Sequence, residues 1–241
     1  MTADTSKAAT RIRSLALILL VLMPLSALGT RFGLWPFTIG LLLLSVSLLG
    51  SLIIQIINAI WLLRKPSAGT KSALRLASLF ALPPLVLMAT MMKGGEGSRA
   101  GIHDISTDLD NPPVFVAAVA ERGSESNPLE FKAEVAAIQR TAFPDIDTLT
   151  TKQAPKQAFT KALAAAAALG WEVYAQDQQQ GHIEAVDTTF WFGFKDDVVI
   201  RIQPAVDGSN IDLRSVSRVG RGDMGANANR IRAFNSQFNA L

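Results

Sequence analysis

One polar stretch, "GIHDISTDLDNPP" at residues 101–113, places a histidine close to several carboxylates. Imidazole and carboxylate groups bind metals, so this stretch has to be compared with known ion sites. A calcium loop numbered from Asp104 needs a glycine at its sixth position and a glutamate at its twelfth, but Leu109 and Phe115 stand there. Zinc needs three or four ligands, and His103 with Asp104 supplies two. We therefore predict neither a metal site nor a cofactor.

Two other interpretations of this stretch stay open. Its carboxylates can stabilise turns by accepting hydrogen bonds from backbone N–H groups. Alternatively, His103, Asp104 and Asp108 form part of a surface that contacts a ligand or a partner. We retain these three residues as candidates for such a surface.

Nucleophilic catalysis would depend on one of only two histidines, His103 and His182, because a serine nucleophile needs a base. The chain has no cysteine, which excludes thiolate nucleophiles, disulfides and cysteine-ligated metals. No GxSxG motif is present, since "GEGSRAG" places Ser98 directly after a glycine. A hydrolase is therefore the alternative hypothesis. A histidine within hydrogen-bond reach of a serine or a carboxylate in a cleft would favour it.

A second polar segment, "RSVSRVGRGDMGANANR" at 214–230, concentrates arginines around a glycine-rich turn. Such a cluster beside a helix start can bind an anion or an acidic partner. The candidate residues for this surface are Arg214, Arg218, Arg221, Asp223 and Asn227. The alternative is an internal network, in which Arg201 and Arg214 pair with carboxylates on neighbouring strands. The carboxylates available for such pairs are Asp196, Asp197 and Asp212.

The stretch "TTFWFGFKDD" at 188–197 alternates aromatic residues with other types. Alternation predicts a strand, in which Phe190, Phe192 and Phe194 share one face and fill a core. Trp191 would then take the opposite face, where it either packs or lines an apolar pocket or contact surface.

The elements that must position these residues divide the chain in two. Three apolar runs, at residues 14–28, 37–63 and 74–92, precede the polar part. About 20 helical residues cross a hydrocarbon core of about 30 Å, so we predict three transmembrane helices in an anchor at residues 1–92. The first run also resembles a cleavable signal peptide, and the sequence leaves its cleavage open.

Charge predicts the orientation of this anchor. Residues 1–92 carry eight Lys/Arg and one acid, whereas residues 93–241 carry fifteen Lys/Arg and nineteen acids. The basic residues flank apolar runs and form no patch on the polar part, so a nucleic-acid partner is excluded. They precede the first run and lie between the second and third, which predicts a cytoplasmic N-terminus and an extracytoplasmic C-terminal domain.

The polar part is predicted to be a linker at residues 93–100 followed by an α+β domain at 101–241. Periodicity and turn signals indicate helices at 114–122, 131–141, 155–169 and from about 226 onward. They indicate strands at 171–176, 182–194, 198–203 and 211–217. Short links between consecutive strands favour an antiparallel four-stranded sheet with helices packed on one face.

Several segments resemble a known family. In order, they are "IHDISTDLDNPP", "FPDI", "LGWEV", "GFKDDVVIRI" and "RSVSRVGRGDMGANANRIRAF". Together they are similar to the domain of unknown function 1499 family over about residues 101–238. The resemblance implies a bacterial protein, and it implies no established reaction, cofactor or substrate. His182 stands where the family more often has Arg, which counts against a catalytic role for this histidine.

These observations predict a protein of the cytoplasmic membrane whose domain lies in the cell envelope. The expected function is that of a binding or accessory protein. Its surroundings would be the lipid bilayer, and its partner a protein of the envelope or a lipid-like ligand. The alternative is an envelope hydrolase or other enzyme using His103 or His182.

Overall fold

Three long helices make up the N-terminal part of the chain: α1 (Lys7–Arg31), α2 (Phe37–Leu63) and α3 (Ala68–Met92). The computed structural model describes residues 5–92 and 100–241. At about 1.5 Å per residue, each helix is longer than the hydrocarbon core of a bilayer. All three are long and apolar enough to cross a membrane. The three predicted apolar runs are thus confirmed as helices, and α3 continues through Pro83-Pro84.

Small and polar residues lie where these helices meet. Ala16, Ala77 and Ala81 pack around Leu19 and Ile54. The Ser47 hydroxyl donates to the carbonyl of Leu19 at 2.7 Å, and the Asn58 amide donates to the carbonyl of Leu74 at 3.2 Å. Large apolar side chains such as Ile18, Leu42 and Ile53 are exposed instead. This arrangement suits helices surrounded by lipid, since small residues allow close helix packing and the outer surface stays apolar.

The chain divides into two units. Residues 1–93 with 190–193 form one unit, and residues 94–189 with 194–241 form the other. The predicted linker lies mostly outside the described residues, because its residues 93–99 are not among them.

A six-stranded antiparallel sheet forms the centre of the second unit. Its strands are β1 (Asp104–Ser106), β2 (Leu149–Thr151), β3 (Glu172–Asp177), β4 (His182–Thr188), β5 (Lys195–Ala205) and β6 (Gly208–Ser217). The order is β1-β6-β5-β4-β3, and β2 pairs with β6 as well. The predicted α+β class and the antiparallel meander are confirmed. Two three-residue strands widen the predicted sheet from four strands to six.

The hydrophobic core lies between one face of this sheet and the helices α6 (Pro155–Ala168) and α7 (Ala226–Ala240). Apolar residues of β1, β4, β5 and β6 point into this core face. Trp171 stacks on Phe234 with ring centroids 5.6 Å apart. The helix predicted from about residue 226 is confirmed as α7, which buries Ile231, Phe234 and Phe238, whereas Leu241 is exposed.

The opposite face of the sheet, called the polar face below, is covered by a different set of residues. Phe115 and Ala118 pack against Val199 and Val216. Of the two remaining helices, α4 (Ala118–Glu121) contributes Ala118 to this cluster, whereas α5 (Ala133–Ala142) packs Val135 and Ala142 against the hydrophobic core. Thus α4, which is shorter than predicted, lies on the face that we expected to be free of helices.

The predicted strand through the phenylalanines is wrong. β4 ends at Thr188, and the residues up to Phe194 connect it to β5. The Thr189 N–H donates to the carbonyl of Phe194 at 2.8 Å, which closes this connection. Gly193 has φ +68°, a conformation that interrupts a strand. Phe190 is 74% exposed and none of the three phenylalanines belongs to the core, so the alternation here reflects a loop.

Candidate functional site

Strand register places charged side chains together on the polar face. His182 lies opposite Arg201, which in turn lies opposite Asp212. Arg214 lies opposite Ser106 of the edge strand β1. Charges on a covered sheet face must be paired, because burying an unpaired charge is very costly.

The first ion pair on this face connects the two polar segments of the sequence, residues 101–113 and 214–230. Arg214 donates to both carboxylate oxygens of Asp104, at 2.9 and 2.7 Å. It also donates to the carbonyls of Pro113 and Leu129. Its guanidinium lies over the ring of Phe115, and both charged side chains are almost fully buried. Asp104 and Arg214 are therefore internal residues that offer no surface to a ligand.

Arg201 forms a second cluster. It donates to Asp108 and to Asp212, each at 2.8 Å, and to the carbonyl of Asn111. The pairing of Arg201 with Asp212 across adjacent strands was predicted and is confirmed. Asp108 also accepts from the N–H groups of Asp110 and Asn111, so it stabilises the turn. Burial opposes ionisation of Asp108, but these hydrogen bonds and Arg201 outweigh it and lower its pKa.

Asp197 organises a third cluster and is fully buried. Arg218 donates to both of its oxygens, at 2.9 and 2.7 Å, and Arg122 donates to one of them. The Tyr174 hydroxyl lies 3.3 Å from Asp197, where a β-bulge between Val173 and Ala175 interrupts the register of β3. Burial and the nearby carboxylates raise the pKa of Tyr174, which keeps its hydroxyl protonated as a donor.

Glu184 forms the fourth cluster and is also fully buried. Its carboxylate accepts hydrogen bonds from the N–H groups of Val116, Ala117 and Ala118, at 2.7 to 3.0 Å. His182 Nε2 lies 2.7 Å from the same carboxylate. Burial alone would raise the pKa of Glu184, but the hydrogen bonds from His182 and the backbone lower it below its ordinary value. A charged carboxylate only accepts, so Nε2 carries the proton of this hydrogen bond.

Beside this cluster, the polar face opens into a groove of about 550 Å³. One side is apolar, with Val114 and Val116 69% and 71% exposed. The other side is polar and comes from the ends of β3, β4 and β5. The lining residues are Val114, Val116, Ala117, Ala175, Gln176, Asp177, Gln180, His182, Glu184, Arg201 and Gln203. A concave surface with an apolar side and several hydrogen-bonding groups has the usual character of a ligand site.

A glycine fixes the turn at the end of this groove. Gly181 has φ +62°, and a Cβ at this position would overlap the carbonyl oxygen of Ile202. The Ile202 N–H donates to the carbonyl of Gly181 at 2.7 Å, which ties the β3–β4 turn to β5. This contact holds Gln180 and His182 in place on either side of the glycine.

Four of the predicted surface residues instead meet at the start of α7. The Asp223 carboxylate accepts from the N–H groups of Gly225 and Asn227. The Asn227 amide donates to the carbonyl of His103 at 3.0 Å, and His103 Nδ1 lies 3.1 Å from the carbonyl of Arg221. Burial raises the pKa of Asp223 despite these hydrogen bonds. A loop-to-helix junction is thus formed by His103, Arg221, Asp223 and Asn227. Among the described residues, the His103 ring meets a backbone carbonyl and no carboxylate.

An internal ion pair extends from this junction. Arg230 donates to Asp187 at 2.8 Å and to Asp196 at 2.6 Å. The Ser215 hydroxyl donates to the Asn227 carbonyl oxygen at 2.6 Å. These contacts link α7 to three strands at the edge of the core face.

The predicted site residues therefore do not form one surface. Trp191 is 56% exposed in the connection between β4 and β5 and is not one of the residues that line the groove. Arg218 is largely covered, and Arg221 is exposed. Within the described residues, no three His, Asp or Glu side chains are arranged to hold a metal ion.

Sequence reasoning missed Glu184 and the groove. The spacing of His182 and Glu184 within β4 was an available signal, because residues two apart on a strand share a face. The backbone N–H groups that meet Glu184 come from residues about 67 positions earlier in the chain. No local pattern indicates that contact.

A known protein family matches the part of the chain that contains these motifs. The family described as "Protein of unknown function (DUF1499)" matches residues 104–238, more than half of the chain. The chain belongs to the DUF1499 family. The predicted resemblance is confirmed, and the DUF1499 domain contains the whole sheet, all of α6 and α7 up to residue 238. A search of curated proteins finds no match to the chain.

Proposed function

We propose that this DUF1499 protein is a membrane-anchored binding protein whose groove holds a lipid-like, amphiphilic ligand. The observation that carries the proposal is the groove itself, which has an apolar side at Val114 and Val116 and a polar side at Gln176, Gln180 and His182. An amphiphile would place its apolar chain against the valines and its headgroup among the amides and the imidazole. Three apolar helices before the domain support a role close to a lipid surface.

The proposal includes a location in the cell envelope, with the DUF1499 domain outside the cytoplasm. Its support is the gathering of basic residues before α1 and between α2 and α3, which favours a cytoplasmic position for those segments. A reporter enzyme that works only outside the cytoplasm, fused after Leu241, is expected to be active. Activity of a matched cytoplasmic reporter at the same position would contradict this orientation.

Photo-crosslinking in cells tests the groove. With p-benzoylphenylalanine in place of Val114 or Gln180, we expect a light-dependent adduct with the mass of a lipid-like molecule, because both side chains line the groove. The matched control carries the same group at Val206, which is fully exposed at the β5–β6 turn. Mass spectrometry of the intact protein identifies each adduct.

The outcomes separate the possible ligands. A protein adduct at Val114 and Gln180, without one at Val206, would replace the lipid-like ligand with a protein partner. Equal labelling at all three positions would contradict a specific groove, because exposure alone would then explain it.

A second function is favoured by one distance. His182 lies in the groove with Nε2 2.7 Å from the buried carboxylate of Glu184, so the imidazole is oriented as in many general bases. The groove lining contains no serine or threonine, so His182 would act on a water molecule.

This hydrolase hypothesis predicts that the full-length protein adds water to a component of an envelope lipid extract and that His182→Asn abolishes the reaction. His103→Asn is the matched control, because the His103 ring meets a backbone carbonyl, that of Arg221, and lines no part of the groove. Mass spectrometry of the extract shows the products. Equal turnover by wild type and His182→Asn would eliminate His182 as the base and leave the binding function.

A further inference from the structure

The basic residues of the helical unit gather at one end. The Ser6 N–H donates to the Thr70 hydroxyl at 3.0 Å, which brings the start of α1 to the start of α3. Ala9 and Leu74 pack there with Trp61, near the end of α2. The basic residues near this end are Lys7, Arg11, Arg13, Arg64, Lys65, Lys71 and Arg75. They make up seven of the eight Lys and Arg residues among residues 5–92.

These cations have no counter-charge within the helices. Residues 5–92 contain no aspartate and no glutamate. Positive charge gathered at the end of a membrane-spanning bundle attracts the anionic headgroups of the surrounding lipid.

One place at this end has the shape of a binding site. A shallow pocket of about 550 Å³ lies on α3 and is lined by Ala68, Lys71, Ser72, Arg75, Leu76 and Leu79. Lys71 and Arg75 are four residues apart, so they lie on the same side of the helix.

This side of α3 faces away from its neighbours. Lys71, Arg75 and Leu79 are exposed, whereas Ala73 and Ala77 on the other side are buried. Leu79 lies one turn beyond Arg75, so the surface of α3 changes from cationic to apolar along its axis.

We propose that this pocket binds an anionic phospholipid. Lys71, Ser72 and Arg75 contact its phosphate, since two cations and a hydroxyl are suitable donors to phosphate oxygens. The acyl chain follows Leu76 and Leu79 along the helix. A free phosphate would use the same three donors but would gain nothing from the leucines.

Native mass spectrometry of the full-length protein in mild detergent tests this assignment with phosphatidylglycerol as the probe. The double variant Lys71→Gln/Arg75→Gln is expected to bind it at least about 30-fold more weakly, because each cation then loses its charge-assisted hydrogen bond to the phosphate. The matched control, Arg11→Gln/Arg13→Gln, removes the same charge at the same end outside the pocket. The affinity of this control for phosphatidylglycerol should fall by less than about threefold.

Three other results would contradict a defined phospholipid site. Equal loss in both double variants would show general attraction to the charged end and overturn a defined site. Displacement by inorganic phosphate at the same concentration would assign the pocket to free anions, and equal binding of phosphatidylcholine would remove the role of charge.

A variant that conserves charge keeps the proposal testable even if the double variant misfolds. Leu79→Ala keeps every cation and shortens only the apolar contact. It is expected to weaken phosphatidylglycerol binding about fivefold, and an unchanged affinity would overturn the placement of the acyl chain.

Discussion

Replacing Asp104 by Asn is expected to lower the free energy of unfolding of the DUF1499 domain by about 3–5 kcal/mol. Arg214 is almost fully buried and donates to both oxygens of Asp104. The variant leaves a buried guanidinium without its negative partner. The carbonyls of Pro113 and Leu129 still accept hydrogen bonds but cannot neutralise the charge. Pulse proteolysis of the full-length protein across a urea series in detergent measures the loss.

A surface pair provides the matched control for this measurement. Asp110 pairs with Arg140 at 2.7 Å, but its side chain is 90% exposed. Asp110→Asn should change stability by no more than about 0.5 kcal/mol, because solvent screens an exposed pair. Similar losses in the two aspartate variants would contradict the burial-based argument. Replacing both Asp104 and Arg214 by apolar residues of similar size should recover much of the stability.

The helices and most of the sheet could be predicted because their signals are local. The apolar runs that became α1, α2 and α3 are visible in composition alone. β5 and β6 follow from short apolar segments separated by a turn at 206–207. These elements depend on neighbours in the sequence, so a linear pattern contains the necessary information.

The connection between β4 and β5 shows where a local pattern misleads. Alternating phenylalanines predict a strand, but alternation cannot distinguish a strand from a loop that repeats aromatic residues. The strand register shows that this stretch is a loop, because Thr188 pairs with Lys195 and leaves six residues between them. The glycine at position 193 was a local sign of a turn in the sequence, and in the structure it has a positive φ.

The sequence indicated that internal ion pairs would form, but it did not indicate every pair of partners. Arginines and carboxylates in adjacent strands indicated internal pairs, and Arg201 with Asp212 is such a pair. Arg214 was expected to pair with one of the strand aspartates, yet its partner Asp104 lies 110 residues away on the edge strand. That pairing depends on the position of β1 beside β6, which no spacing within the sequence encodes.

The groove was unpredictable for a related reason. Its apolar side comes from residues 114–117 and its polar side from strands more than 50 residues later. Glu184 connects the two sides, because it binds the backbone before α4 and the imidazole of His182. The same residue thus holds the fold and orients the groove, so a variant of Glu184 cannot separate stability from function. Gln180 and Val114 are the better probes, because their side chains line the groove and make no hydrogen bond within the described part of the chain.

Reversing the charge of Arg218 is expected to damage the domain about as strongly as the loss of Asp104. Arg218 donates twice to the fully buried Asp197 and once to the carbonyl of Glu121. Burial disfavours the Arg218 cation, but the hydrogen bonds to Asp197 dominate and raise its pKa. Arg218→Glu places a second carboxylate against a buried one, so a loss of about 3–5 kcal/mol or more is expected in the same urea series.

Arg221→Glu is the matched control for this charge reversal, because Arg221 is exposed. Within the residues that the structure describes, its side chain makes no ion pair, and its backbone carbonyl meets the ring of His103. Its effect on stability should stay within about 0.5 kcal/mol, the usual range for a surface substitution. The comparison decides between the two interpretations of the arginine-rich segment. An internal network predicts a large loss for Arg218→Glu and almost none for Arg221→Glu. If Arg218→Glu were as stable as wild type, the pairing with Asp197 would be dispensable, and a surface for anions would become the better account of this segment.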